Sequence, residues 1–113
     1  MHEMSIAEGI VDIVLDTMKN NDASQVHSVQ LDVGMMSGVE PDALHFCWES
    51  VTQGTAAQGA KLDINLVPIV GRCFDCGTMF DVKEYVFVCP KCGSRIVQTA
   101  SGKELRVTSI DVD

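Results

Sequence analysis

The sequence predicts an α+β fold: two helices packed on a three-stranded sheet, with an inserted four-cysteine ribbon. Three observations carry this. Two segments repeat their apolar residues at spacings of three and four, the period of a helix with one buried face. Three segments alternate apolar and polar residues, the period of a half-buried strand. Between the second and third of these strands lie two Cys-x-x-Cys pairs. At 113 residues the chain has room for one domain and a small appendage.

The first helix spans residues 4–19, with Ala7, Ile10, Val11, Val14, Leu15 and Met18 on its inner face and Glu8, Asp12, Asp16 and Lys19 on the other. Ser5 and Glu8 have capping-box spacing. The first strand covers 25–34, where Val29, Leu31 and Val33 alternate with Ser28, Gln30 and Asp32. Pro41 sits where a first helical residue belongs, and a second helix runs to about Gln53 with Leu44, Cys47, Trp48 and Val51 inward. Gly54 is its stop. The second strand is 61–67, with Leu62, Ile64 and Leu66 inward. The last strand is 104–112. Its apolar positions change phase between Val107 and Ile110, which predicts a bulge near Thr108-Ser109. Residues 1–68 with 100–113 are expected to form one domain, and 69–99 the ribbon.

Charge narrows the function. Sixteen acidic residues against eight basic ones give a net charge of -8, which repels phosphate backbones and anionic lipid. Neither nucleic acid nor membrane is an expected partner. No stretch approaches the roughly 18 apolar residues of a membrane span. The first residues lack the basic segment of a secretory leader, so a cytoplasmic location is expected.

In a reducing compartment, tight cysteine pairs indicate metal rather than disulfides. Cys73-Phe-Asp-Cys76 and Cys89-Pro-Lys-Cys92 are separated by twelve residues. Each turn presents two thiolates from one knuckle, and two knuckles close a tetrahedron. Phe80, Val82, Val86 and Val88 supply strand-forming residues for a two-stranded hairpin between them. Some thirty residues cannot bury a sufficient core alone. Structural zinc contributes on the order of 10–16 kcal/mol of apparent binding energy to folding such a unit. Iron is the rival, since the second knuckle resembles that of rubredoxin, and the short gap favours zinc. Four thiolates leave no open position for a catalytic water, so the site is structural or regulatory.

Met1-His2-Glu3 is a second candidate site. A free amino terminus, the His2 backbone nitrogen and the His2 ring Nδ1 can form fused chelate rings with three nitrogens in a plane. Ni(II) and Cu(II) prefer that arrangement and zinc does not. Glu3 can add an oxygen. His27 and His45 are read as incidental, Cys47 as a small core residue and the six methionines as core filler.

Met1-His2-Glu3-Met4-Ser5, Gly34 to Glu40-Pro41, Gly54-Thr55 with Gly59 and Leu62, and the paired cysteines ending in Cys89-Pro-Lys-Cys92-Gly93 together resemble the HypA/HybF family. The resemblance extends along the whole chain. It implies a nickel chaperone of hydrogenase maturation, not an enzyme. Implied with it are a mixed α/β nickel-binding domain and an inserted structural Zn(II) domain. Ni(II) is then cargo for the [NiFe]-hydrogenase large subunit, with a HypB-type GTPase as partner. By position, nickel falls on Met1, His2 and Glu3, and zinc on Cys73, Cys76, Cys89 and Cys92. Glu40 matches an acidic position near the nickel end, as a candidate for partner contact or for supporting the ligands. Some members carry a His beside each cysteine pair, whereas here Gly77-Thr78-Met79 and Gly93-Ser94 follow, so a histidine-assisted change of zinc coordination is not expected. The alternative is a zinc-ribbon adaptor or regulatory protein without a nickel function.

Overall fold

The computed structural model describes residues 3–113. Its elements run α1 (Glu3–Asn20), β1 (Val26–Gly34), α2 (Pro41–Thr52), β2 (Lys61–Val67), β3 (Val70–Cys73), β4 (Met79–Asp81), β5 (Val97–Ser101) and β6 (Leu105–Val112). They form two three-stranded sheets, ordered β2-β1-β6 and β4-β3-β5.

In the first sheet β1 is central, parallel to β2 and antiparallel to β6. A parallel neighbour requires a crossover, and α2 supplies it. The buried positions follow from the periodicity. Ala7, Ile10, Val11, Val14 and Met18 of α1 meet Leu44 and Trp48 of α2 over Val29, Leu31 and Val33 of β1. Leu15, Cys47 and Val51 pack at the edge of this core. Trp48 keeps its indole N–H satisfied by donating to the Ala60 carbonyl at 2.9 Å. Pro41 opens α2, and Gly54 follows it at φ +76, a conformation that favours glycine. On β6, Gln30 pairs with Ser109 but Leu31 pairs with Val107, so Thr108 is the extra residue of a bulge. The phase change in the sequence marks this bulge.

Three expectations are corrected. Leu66 is 53% exposed rather than inward. It lies near the end of an edge strand, and β2 pairs on one side only. The methionines are mostly not core filler: Met4, Met35 and Met79 are exposed, and Met18 is the buried one among the described residues. The ribbon is a three-stranded sheet rather than a two-stranded hairpin, with Val86 and Val88 outside any strand. Glu84 and Tyr85 adopt φ +55 and +59, which interrupts an extended run. Strand β3 precedes the first knuckle and pairs on both sides, with β4 and with β5. Gly71 permits this. A Cβ there would lie 2.8 Å from Val97 Cγ1 and 3.1 Å from Phe80 Cζ.

Residues 102–104, which link β5 to β6, run against the end of β1. Gly34 donates its N–H to the Glu104 carbonyl and Met36 to the Gly102 carbonyl, both at 2.7 Å. A Cβ on Gly34 would stand 2.1 Å from the Gly102 oxygen, so only glycine fits. Tyr85, from the ribbon, donates its hydroxyl to the Met35 carbonyl at 3.3 Å.

Candidate metal centre

Two knuckles of the same construction bring the cysteines together. In the first, Gly77 N–H donates to the Cys73 carbonyl at 2.9 Å and Cys73 N–H to Thr78 at 3.0 Å. In the second, Gly93 N–H donates to Cys89 and Cys89 N–H to Ser94, both at 2.9 Å. Gly77 and Gly93 have φ +75 and +76, so each turn depends on glycine in the left-handed region.

The four sulfurs lie within 4.8 Å of one another. Cys73 Sγ is 3.5 Å from Cys92 Sγ, and Cys76 Sγ is 3.5 Å from Cys89 Sγ. Those separations are well beyond the roughly 2.05 Å of a disulfide. They suit a tetrahedron, whose edge is about 3.8 Å for a Zn–S bond of about 2.3 Å. Cys73 and Cys89 are buried while Cys76 and Cys92 face solvent. An all-sulfur tetrahedral donor set fits zinc or iron.

The neighbouring thiols favour ionisation of Cys76 and oppose that of Cys92. Hydrogen bonds from the Thr78 hydroxyl and backbone N–H pull Cys76 down to about 6. Cys92 accepts from the Ser94 backbone, which lowers its pKa, yet the Cys73 thiol, loss of local hydration in the cluster and the Cys76 and Cys89 thiols outweigh that and push it up to about 12. One negative charge in the cluster makes the next costly, and a bound cation relieves that repulsion. The Thr78 hydroxyl stands 3.1 Å from Cys76 Sγ, where it supports the sulfur without itself being a metal ligand.

Met1 and His2, two of the residues expected to hold nickel, lie outside the described residues. Glu3 opens α1, and its Oε2 accepts from the Glu40 backbone N–H at 3.2 Å. Glu40 caps α2, its Oε1 accepting from Asp42 N–H at 3.4 Å. The starts of both helices thus meet, and carboxylates suit the positive ends of the two helix dipoles. Sequence reasoning placed Glu40 near Glu3 only through a resemblance; the contact supplies a physical reason. His27 and His45 are both exposed, far from being buried ligands. The Thr78 and Ser94 contacts to the sulfurs went unread in the sequence, although both residues follow a knuckle glycine.

The chain matches, over residues 1–112, the family described as "Hydrogenase/urease nickel incorporation, metallochaperone, hypA". It is 46% identical over 113 residues to hydrogenase maturation factor HypA of Dechloromonas aromatica, covering all of both chains. It is also 46% identical over 112 residues to the factor of that name from Rhizobium leguminosarum bv. viciae, covering 99% of each. Its fold is similar to the solution structure of a HypA protein, with a TM-score of 0.76 at 25% identity, over 99% of this chain and 96% of that one. The solution structure of the nickel metallochaperone HypA from Helicobacter pylori aligns with a TM-score of 0.69 at 24% identity, over 99% and 97% of the chains.

Proposed function

This chain belongs to the HypA family of nickel-incorporation metallochaperones, and on that premise we propose that it binds Ni(II) at its N-terminus and delivers it for [NiFe]-hydrogenase maturation. The ligands are the Met1 amine, the His2 backbone and ring nitrogens, and Glu3. The recipient is the hydrogenase large subunit, with a HypB-type GTPase as partner, in the cytoplasm. Cys73, Cys76, Cys89 and Cys92 hold Zn(II) as a resident structural ion. Residues 1–68 with 100–113 form the nickel domain and 69–99 the zinc domain. The protein transfers an ion without chemical conversion.

The observation that carries this reading is the family match over residues 1–112, which includes Met1-His2-Glu3. The Glu3–Glu40 contact supports it further, because it seats a carboxylate donor at the common start of both helices. Exposed Glu8 and Asp12 on α1 lie on the same helix as Glu3, which suits a docking face close to the point of transfer. Nickel and zinc sites differ in donor type, nitrogen and oxygen against sulfur, so each ion has a preferred place.

Calorimetric nickel titration of three zinc-loaded proteins tests the reading. The untagged wild type should bind one Ni(II) per chain. His2→Gln should lose that binding with zinc content unchanged. A protein with two residues added before Met1 should lose it too, since the amine becomes an amide. Binding should fade in mild acid, because imidazole (unperturbed pKa about 6.5) ligates only when neutral. Wild-type nickel affinity in either altered protein would place the site elsewhere.

A further inference from the structure

The first sheet ends on β6, which pairs with β1 on one side and, among the described residues, with no strand on the other. Both flanks of β6 are held inward. The Glu104 carbonyl accepts from Gly34 N–H at 2.7 Å, and Asp113 N–H donates to the Gln25 carbonyl at 3.1 Å. Alternate residues are counted from those flanks, with Thr108 as the extra residue of the bulge. Leu105, Val107, Ile110 and Val112 then turn their N–H and C=O groups away from β1. An apolar groove runs beside this edge, between β6 and α1. Two clefts of about 220 and 310 Å³ share Ile13 and Val107, with Ile6, Leu105 and Ile110 among their other walls. Ile13 is 52% exposed there.

The β6 sequence, Leu-Arg-Val-Thr-Ser-Ile-Asp-Val, has the same pattern read in either direction. It runs apolar, charged, apolar, hydroxyl, hydroxyl, apolar, charged, apolar, and the two charges differ in sign. Laid antiparallel on itself about the middle of Thr108-Ser109, it sets Leu105 opposite Val112, Arg106 opposite Asp111 and Val107 opposite Ile110. The residues with outward backbone groups then face one another, as a hydrogen-bonded ladder requires. Arg106 and Asp111 stand opposite Asp32 and Ser28 of β1, on the open face of the sheet. Across the new ladder they form a non-hydrogen-bonded pair, the kind in which side chains come closest. Arg106 reaches Asp32 at 3.5 Å with its side chain 68% exposed, so the other donors of its guanidinium can take a second carboxylate. Asp111 is in no ion pair among the described residues.

We infer that β6 is a self-association edge, to which a second copy of this chain adds its own β6 antiparallel, joining two three-stranded sheets into one. The bulge selects this occupant. On an edge strand a bulge deters a regular strand, because the outward groups are unevenly spaced. A second copy related by a twofold axis carries the same irregularity at the matching place. Charge selects it too, since each dimer gains two Arg106–Asp111 pairs. The other edge strand, β2, laid on itself about Ile64, sets Lys61 against Val67 and Asp63 against Asn65, with no such match. On the α1 side of the groove, Ile6, Gly9 and Ile13 bring no carboxylate to the contact. The net charge of -8 opposes association. At physiological ionic strength the Debye length is about 8 Å, so charges far from the contact are largely screened.

The test uses the zinc-loaded full chain without nickel, so its failure leaves the nickel reading untouched. Sedimentation equilibrium of the wild type should show a reversible monomer–dimer equilibrium. The NMR amide signals of Leu105–Val112 and Ile13 should shift with concentration. Arg106→Asp sets acid against acid and Asp111→Arg sets base against base. Each alone should dimerise about tenfold more weakly, with the amide spectrum of the monomer otherwise preserved. An equimolar mixture of the two variants should associate to within about threefold of the wild type, because each heterodimer regains two opposite-charge pairs. A wild type that stays monomeric at its highest soluble concentration would overturn the proposal. So would a mixture that associates no better than either variant alone, or concentration-dependent shifts confined to β2 or the ribbon. Shifts of β6 seen only on adding a peptide of alternating Val and Thr would assign the edge to a foreign strand and also overturn it.

Discussion

The helix-covered sheet buries fifteen apolar side chains in one continuous core, whereas the ribbon of residues 69–99 buries only Ile69, Cys73, Val82 and Cys89 among the described residues. The ribbon also exposes Phe74, Met79, Tyr85, Val86 and Ile96. Apolar burial stabilises by about 25 cal/mol per Å² removed from water, and the ribbon has too little buried to offset the entropy of ordering its backbone. Four converging sulfurs take the place of a core. The difference teaches that one chain can join a unit with a continuous apolar core to one built around four converging sulfurs, and that each should respond to its own perturbation.

Metal removal is the strongest way to break the comparison. Stripping the ion with a chelator should cost the ribbon on the order of 10 kcal/mol of apparent folding energy, and Cys73→Ser, which leaves three thiolates, should cost part of that. Amide signals of 70–101 should collapse to unfolded positions while those of β1 and α2 remain dispersed. Loss of both sets together would mean that the two units fold as one.

Leu44→Ala probes the other side. Leu44 is fully buried between the helices and the sheet, so truncation leaves a cavity. The expected cost is about 2–5 kcal/mol in denaturant unfolding of the helix-covered sheet, with metal content unchanged. A drop in bound metal in the folded variant would show that the core also supports the knuckles.

The smallest effect is electrostatic and belongs to the first sheet alone. His27 Nε2 is paired with Asp113, and this hydrogen bond, the Asp113 charge and the nearby Asp111 raise the His27 pKa above 6.5. The folded state therefore holds the proton more tightly than the unfolded chain. Its contribution is fully present below the unfolded value and is lost as pH rises through the raised folded value. Both side chains are about half exposed, so the effect is small. The urea midpoints of wild type and His27→Gln should differ slightly at pH 6 and converge by pH 9. Equal midpoints at both would show that the pair adds no stability.

The cysteine cluster and the first fold unit were legible in the sequence to different depths. Two Cys-x-x-Cys turns constrain sulfur geometry locally, so spacing alone predicts the convergence of Cys73, Cys76, Cys89 and Cys92 that the structure displays. The ribbon strands were harder to read. Val70–Cys73 contains Gly71 beside Pro68, which reads as punctuation, and Gly71 is there to let two neighbouring strands close in.

By itself the sequence determined the two helix faces, the alternation of β1, the bulge at Thr108 and the sulfur donor set. Each is written in local periodicity or short spacing, where neighbours along the chain settle the outcome. Tertiary structure decided the rest: the central place of β1 between a parallel and an antiparallel partner, the third ribbon strand, and the exposure of Leu66 and Met35. It also decided the Glu3–Glu40 contact and the glycine-only approach of Gly34 to Gly102. These depend on residues that are distant in sequence meeting in space, and hydrophobic periodicity marks which face of an element is buried without specifying against what.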